Sequence, residues 1–473
     1  MRCYFVVLFL LCSYQVLAGI QLPSIFNNGM ILQQDSEVKI WGRTDSPQVI
    51  QICPSWANKV YKTVPDKKGN WIVKIQTPKA DLNYYHLDII QDDELLHITD
   101  ILFGEVWLCS GQSNMEMKMK GYYGKPIIGG REAIANSRND YIRIFEVPKQ
   151  ASPKETFDCD AHWRKANPLS VANISATSYY FGKQLFQTLH VPIALIVAPW
   201  GGASIVAFMS RDALTSYSQY KLPDNDDKEL GNMSPTALFN GMINPILGYT
   251  IKGGIWYQGE TNRNEPDLYR KLFHSMLTDW RAKWEIGDFP FIYAQIAPFD
   301  YQDGNSAYFR EAQLLCQYEN TNAYMVTLLD IGEEHDIHPS DKQTVGFRMA
   351  MAALDKAYQV GGIYSDEPIF HSFKVRGEEV IVSFKNVSRG LTTYGKPLTS
   401  FFIAGENRIF YPAEAFIKGN DVVVYSKDVS KPVAVRYAFM DYVKGCLYNV
   451  EGCCASSFRT DNWDEDTCKY SNK

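Results

Sequence analysis

The chain has 473 residues, of which 46% are hydrophobic, 14% aromatic and 21% charged, and its net charge is −6. Domains run to about 100–200 residues, so two or three are expected here, and the composition argues for packed globular structure against disorder. A net negative chain with no Lys/Arg cluster excludes a nucleic-acid partner, whose phosphates demand a basic footprint; an aromatic-rich acidic surface suits sugars better, although core packing accounts for most of the rings.

Residues 1–18 read as a secretory signal peptide. Arg2 supplies the positive start, 6–11 the apolar centre, and Val16-Leu17-Ala18 a small-residue cleavage pattern. Ser13, Tyr14 and Gln15 interrupt the apolar stretch, which falls short of the ~20 residues needed to span a bilayer. No later segment is long enough, so no membrane span is expected, and the mature protein belongs to the secretory pathway, lysosomal or secreted. Sequons at Asn173, Asn232 and Asn386 fit that route as glycosylation sites. Eight cysteines follow the signal peptide, and in an oxidising compartment some are expected to pair, with Cys446, Cys453, Cys454 and Cys468 clustered near the end. Their spacing does not match paired Cys-x-x-Cys zinc ligands and no histidine is interleaved, so neither a metal nor another cofactor is expected.

From 19 to 100 short alternating runs (38–42, 49–52, 71–75) are separated by turn signals at Asp45-Ser46-Pro47 and Lys68-Gly69-Asn70. Period-two patterning with regular turns predicts a small antiparallel β-sandwich. After Ile101 the rhythm changes. Strand-like runs at 106–109, 141–147, 191–198, 251–258, 291–296 and 323–329 alternate with helical patterns at 178–189, 267–284, 305–318 and 341–358. That alternation predicts, for 101–360, an α/β unit with a parallel sheet covered by helices. The polar, irregular intervals 121–130 and 210–231 read as active-site loops or insertions. Strand patterning returns in 380–384, 422–425 and 433–437, making 361–473 a second β-rich region.

The chemistry is concentrated where predicted strands end. Cys109-Ser110-Gly111-Gln112-Ser113-Asn114-Met115 leaves an apolar run through a polar turn that can expose one hydroxyl at the carboxyl edge of a sheet, so Ser113 is the candidate nucleophile. Taken alone, a Gly-x-Ser-x is more often an ordinary turn. A serine nucleophile needs a base held by an acid, and Asp336-Ile337-His338-Pro339, after the last predicted strand, offers both. Pro199-Trp200-Gly201-Gly202-Ala203-Ser204 and Gln258-Gly259-Glu260-Thr261-Asn262 follow two further strands and can present backbone and side-chain amides to an oxyanion.

Together these four motifs resemble the sialate O-acetylesterases, a branch of the SGNH hydrolases. Phe26-Asn27-Asn28-Gly29-Met30-Ile31-Leu32-Gln33 is similar to the opening of that family's N-terminal β domain, and Arg436-Tyr437-Ala438, Leu447-Tyr448-Asn449 and Ser457-Phe458-Arg459-Thr460 to its close. The resemblance implies an SGNH-type, flavodoxin-like parallel sheet with helices on both faces, flanked by N- and C-terminal β-rich regions. It also implies metal-free hydrolysis of O-acetyl esters of sialic acids, free or glycan-linked, with the 9-O-acetyl ester foremost. Carried over by residue, Ser113 is the nucleophile, His338 the base and Asp336 its orienting acid, with Gly202, Gln258 and Asn262 as oxyanion-hole or positioning residues. The wider superfamily often places the acid three residues before the histidine, where this chain has His335, so Asp330 and Glu334 stay open as alternatives; Cys453-Cys454 replaces an expected Leu-Pro.

Two rival readings are an acetylesterase for other acetylated glycans such as xylan and a glycan-binding protein without turnover. An intact triad argues against the second but cannot separate the first, because a triad handles the acetyl group and not the sugar. Sialic acid carries a carboxylate, which a guanidinium fork matches in two parallel hydrogen bonds. Arg263, next to the 258–262 loop, is the candidate substrate contact, with Arg310 and Arg348, on predicted helices, assigned to surface or interdomain ion pairs.

Overall fold

A computed structural model describes residues 19–471; the predicted signal peptide lies outside them. Seven strands open the chain: β1 (Ile31–Gln33), β2 (Glu37–Arg43), β3 (Ile50–Pro54), β4 (Tyr61–Thr63), β5 (Asn70–Gln76), β6 (Tyr85–Gln91) and β7 (Glu94–Gly111). β2 pairs with β5, and β4, β3, β6 and β7 form a second antiparallel group. Val38, Ile40 and Ile75 from the first group and Ile52, Leu87 and Ile89 from the second are buried in one apolar cluster, the arrangement that alternating runs produce.

β7 corrects the expected boundary at residue 100. Its first half pairs with β6 down to Tyr85↔Ile101, and the same strand continues into the central sheet, pairing Glu105–Gly111 with Ile193–Pro199. One strand of 18 residues therefore serves both regions. Burial changes along it, from alternating positions before Ile101 to every position after, because its second half has helices or other chain on both sides.

The central sheet is built from β8 (Asn139–Glu146), β9 (Trp163–Ala166), β10 (Ile193–Pro199), β11 (Gly253–Tyr257), β12 (Phe291–Ala294) and β13 (Ala323–Val326). Its order is β13-β12-β11-β7-β10-β8-β9, parallel throughout except for β9, an antiparallel edge the sequence reading missed. Alternate residues of β7 face opposite layers. Val106 and Leu108 join the cluster containing Trp280 of the helix Pro266–Trp284 and Phe309 of Ala307–Glu319, whereas Trp107 and Cys109 pack with Phe181 of Ala176–Leu189 and Met349 of Lys342–Ala352. The fold is thus a mixed α/β sheet with helices on both faces. Among the described residues no helix is long and apolar enough to cross a membrane.

Beyond residue 361 two larger sheets form, one antiparallel and containing Ile369–Arg376, Glu379–Lys385, Glu414–Lys418 and Asp421–Tyr425, the other centred on Phe401–Ala404 and Ala434–Tyr437 with a parallel pair at one edge. Arg310 ties this region to the catalytic layer, and it does so differently from the expected ion pair. It is fully buried and donates to the carbonyls of Ala438 (3.3 Å), Met440 (2.5 Å) and Asp441 (3.3 Å), with burial lowering its pKa to about 10. Arg348 does form an ion pair, a fork onto Asp330 at 2.7 Å to each oxygen. Among the described residues the eight cysteines stand unpaired, the terminal cluster included. Cys109, Cys159, Cys316 and Cys454 are buried as small apolar side chains, and strand pairing such as Ile409↔Lys469 holds the terminus where a bridge was expected.

Candidate active site

The parallel strands deliver four loops to one edge, and Gly111 fixes how the first of them leaves. Its φ is +139°, and a Cβ there would lie 2.2 Å from the Tyr257 carbonyl oxygen, so only glycine lets β7 and β11 run together to their ends. The Gln112 amide then donates to Tyr257 O (2.9 Å), and Gln112 Oε1 accepts from the amides of Gly259 (3.2 Å) and Thr261 (3.4 Å). Ser113, half-buried, begins the short helix Ser113–Glu116.

Two residues bring Ser113 to His338. Asn114, 1% exposed, donates to the Ile337 carbonyl at 3.0 Å, and the Tyr122 ring meets His338 edge-on at 5.6 Å while its hydroxyl donates to Ser113 O at 3.4 Å. Beneath them the Asn114 amide also donates to Glu260 Oε1 (2.5 Å), and its Oδ1 accepts from Lys342, whose side chain is wholly buried. Burial raises the Glu260 pKa and lowers that of Lys342 to about 7, each disfavouring its own charge, with the other as a partial counter-charge.

The acid–base loop is held from several sides. Asp336 Oδ1 accepts the His338 backbone amide (2.9 Å) and the Lys125 ammonium (2.6 Å). Burial works to raise the Asp336 pKa, but these bonds outweigh it and the net shift is downward. His338 moves the opposite way for a histidine beside a carboxylate: burial first, then Lys342 and Lys125, lower its pKa to about 4, so it is a neutral acceptor through the physiological range. Of the two alternative acids, Asp330 is committed to Arg348 and to the Tyr448 hydroxyl (3.1 Å), and Glu334 is exposed, nearest to His335. A groove of about 760 Å³ beside Gln33, Glu105 and Lys252 opens at the other end of the strands, where Glu105 is already bonded to Gln33, Gln34 and Tyr358.

The 199–204 loop lies beside Ser113: a Cβ on Gly201 would stand 3.4 Å from that of Ser113. The Gly201 amide is taken by Glu116, and its carbonyl by the Asn232 side chain (2.6 Å), which occupies one of the three sequons. Gly202 has φ +71°, and among the described residues its amide donates to no protein acceptor, leaving it available to an oxyanion. Gln258, fully buried, instead supports this loop by donating to Ala203 O (3.1 Å) and Asn262 Oδ1 (2.7 Å). Asn262 passes the support on, accepting from the Ile205 amide (3.2 Å) and donating to Ser204 Oγ (3.2 Å).

Against this geometry, the family model for carbohydrate esterases, sialic acid-specific acetylesterase, matches residues 104–355. The chain belongs to the sialic acid-specific acetylesterase family. That stretch includes every candidate residue above, and membership makes the protein a carboxylic ester hydrolase. It is 28% identical over 393 residues to the Homo sapiens sialate O-acetylesterase, covering 74% of this chain and 73% of that one. The Mus musculus sialate O-acetylesterase is 27% identical over 409 residues, with 72% and 74% covered. A Xanthomonas citri carbohydrate acetylesterase of solved structure superposes with a TM-score of 0.84 at 31% identity, over 94% of this chain and all of that one.

One expectation for this acetylesterase needs correction. Arg263 does not present a free fork: both Asp303 oxygens lie within 2.6 Å of it, and its guanidinium stacks on Tyr301 at 4.3 Å. Its place next to the 258–262 loop marked it out, but its Nη2 already donates to both oxygens of Asp303, 40 residues on. Asn114, Tyr122, Lys125 and Lys342 were missed in turn. Asn114 sat inside a recognised motif and Lys125 inside an interval read as an active-site loop, yet nothing local distinguished either.

Proposed function

We propose that the protein is a serine esterase removing O-acetyl groups from sialic acids, with Ser113 as nucleophile, His338 as general base, Asp336 as its orienting acid and the Gly202 amide in the oxyanion hole. The observation that carries this reading is the convergence of the Ser113 turn and the His338 loop on Asn114 and Tyr122, in a chain of this family. Ser113 Oγ would attack the acetyl carbon as its proton passes to His338 Nε2; collapse of the tetrahedral adduct breaks the bond to the sugar oxygen, which takes that proton. Water then repeats the sequence on the acetyl-enzyme, releasing acetate and restoring Ser113. The strand order β10-β7-β11-β12-β13, with chemistry at the ends of β7, β10 and β13, supports the SGNH, flavodoxin-like assignment, β8 and β9 being additions at one edge.

The substrate class follows the sialate O-acetylesterases to which the chain is similar, and the free or glycan-linked 9-O-acetyl ester is the form we favour. A second reading, acetylated glycans such as xylan, is favoured by the likeness to the Xanthomonas citri carbohydrate acetylesterase. Parallel assays on O-acetylated sialic acid and acetylated xylan, with a fluorophosphonate label on Ser113, test both: turnover of xylan alone would reject the sialate reading, and an unlabelled active enzyme would reject the nucleophile. Secretory-pathway delivery, to lysosomes or outside the cell, with glycans on the three sequons, completes the proposal and is tested by mass spectrometry of the secreted chain.

A further inference from the structure

A tight turn lies across the acid–base pair. It is closed by the Tyr122 amide donating to Lys125 O (2.9 Å) and the Lys125 amide to Tyr122 O (3.0 Å), with Tyr123 exposed at its tip. The Lys125 ammonium reaches back 2.6 Å from Asp336 Oδ1 and 3.5 Å from His338 Nδ1. That same Oδ1 also accepts the His338 backbone amide, while the imidazole Nδ1 stands 3.5 Å from it, beyond an effective hydrogen bond. The oxygen that should orient the base is therefore held by an ammonium. Lys125 is also partly open to solvent, its side chain 37% exposed, and an ammonium has three donors with which to meet an incoming anion.

We infer that Lys125 selects for a carboxylate-bearing substrate, and that by pairing with that carboxylate it leaves Asp336 Oδ1 free to accept from His338 Nδ1–H. The inference rests on the sialate reading above, since it requires a substrate carboxylate. The exchange balances locally: Lys125 trades one carboxylate for another, and Asp336 trades the ammonium for the imidazole. Arg263 has no such return, because among the described residues no second donor waits on Asp303, which is 58% exposed. A neutral ester leaves Lys125 on Asp336, so substrate charge governs turnover as well as binding.

The test compares O-acetyl sialic acid with its methyl ester, whose carboxylate is masked, in wild type, Lys125→Met and Lys125→Arg, with p-nitrophenyl acetate as a neutral reference. Wild type should prefer the free acid by about tenfold or more in kcat/KM, the range of a charged hydrogen bond. Lys125→Met should collapse that preference while raising kcat on the methyl ester, and Lys125→Arg should keep part of it. In NMR, the low-field Nδ1 proton of His338 should emerge in wild type on adding deacetylated sialic acid and be present without it in Lys125→Met. A Lys125→Met enzyme that retains the preference, or that loses rate equally on acid and methyl ester, overturns the inference. Wild type that cleaves p-nitrophenyl acetate through Ser113 but neither sialate overturns instead the substrate assignment beneath it.

Discussion

The two halves of the site are built by different means. The nucleophile half is a product of the sheet: Ser113 and Gly202 follow parallel strands whose backbone bonds run to the last residue, and buried amides of Gln112, Gln258 and Asn262 lock the loops to one another. The acid–base half follows β13 on an irregular loop held by side chains, with Glu333 accepting from Ser340 (2.8 Å), Lys125 on Asp336, and the C-terminal region bonded at Leu329 and Asp330. Backbone pairing gives a fixed geometry. Side-chain tethers give one that a substrate or a titration can alter, so substitutions in the two halves should fail in different ways.

The largest effect belongs to the fixed half. Ser113→Ala should lower hydrolysis of a chromogenic acetate by about 10⁴-fold or more with the melting temperature unchanged; residual turnover near wild type would remove Ser113 from the chemistry. On O-acetyl sialic acid, Asp336→Asn should cost about 10²–10⁴-fold, since the imidazole would lose its orienting carboxylate. Asp330→Asn should instead break a buried fork and lower stability by about 3 kcal/mol in urea denaturation, and Glu334→Gln should do neither. If Glu334→Gln proved the most damaging to rate, the acid would be misassigned.

Asn262→Ala should cross the categories. Removing Oδ1 strands the buried Gln258 and Ile205 donors, costing about 1–3 kcal/mol of stability, and loosens the Gly202 loop, so kcat should fall while KM changes little. The smallest effect lies in the pH profile. Because burial, Lys342 and Lys125 depress the His338 pKa to about 4, the neutral base persists until pH falls through that value, and activity should hold well below pH 6.5. Between about 6.5 and 4 the unfolded chain binds the proton that the folded one refuses, so this group lowers stability as pH falls across that window. Lys125→Met removes one of the two cations facing His338 and should move the acid limb upward; an unmoved limb would mean the limb belongs to another group.

The nucleophile half was also the legible half. An apolar run ending in Ser-Gly-Gln-Ser-Asn, and strand ends at Gly202 and Asn262, are local patterns, and local patterns are what a sequence displays. Asp336 and His338 are separated by one residue and could be read together. Lys125 could not be joined to them, because it arrives from 211 residues away through a return of the chain that no periodicity records. Arg263 misled for the complementary reason: its neighbours in sequence lie on the site, while its partner Asp303 does not adjoin them in sequence. At residue 100 the change of rhythm was real, but it marked a change of surroundings along β7 and not a break between domains.

That shared strand bears on how the molecule comes apart. Loss of the β6 pairing would unzip the entry to the central sheet, and loss of β10 or β11 would leave Leu102 and Phe103, paired with β1, without a scaffold. The N-terminal strands and the catalytic layers should therefore melt together in a thermal scan, and a catalytic fragment starting at residue 101 would begin in mid-strand with an open edge prone to aggregation.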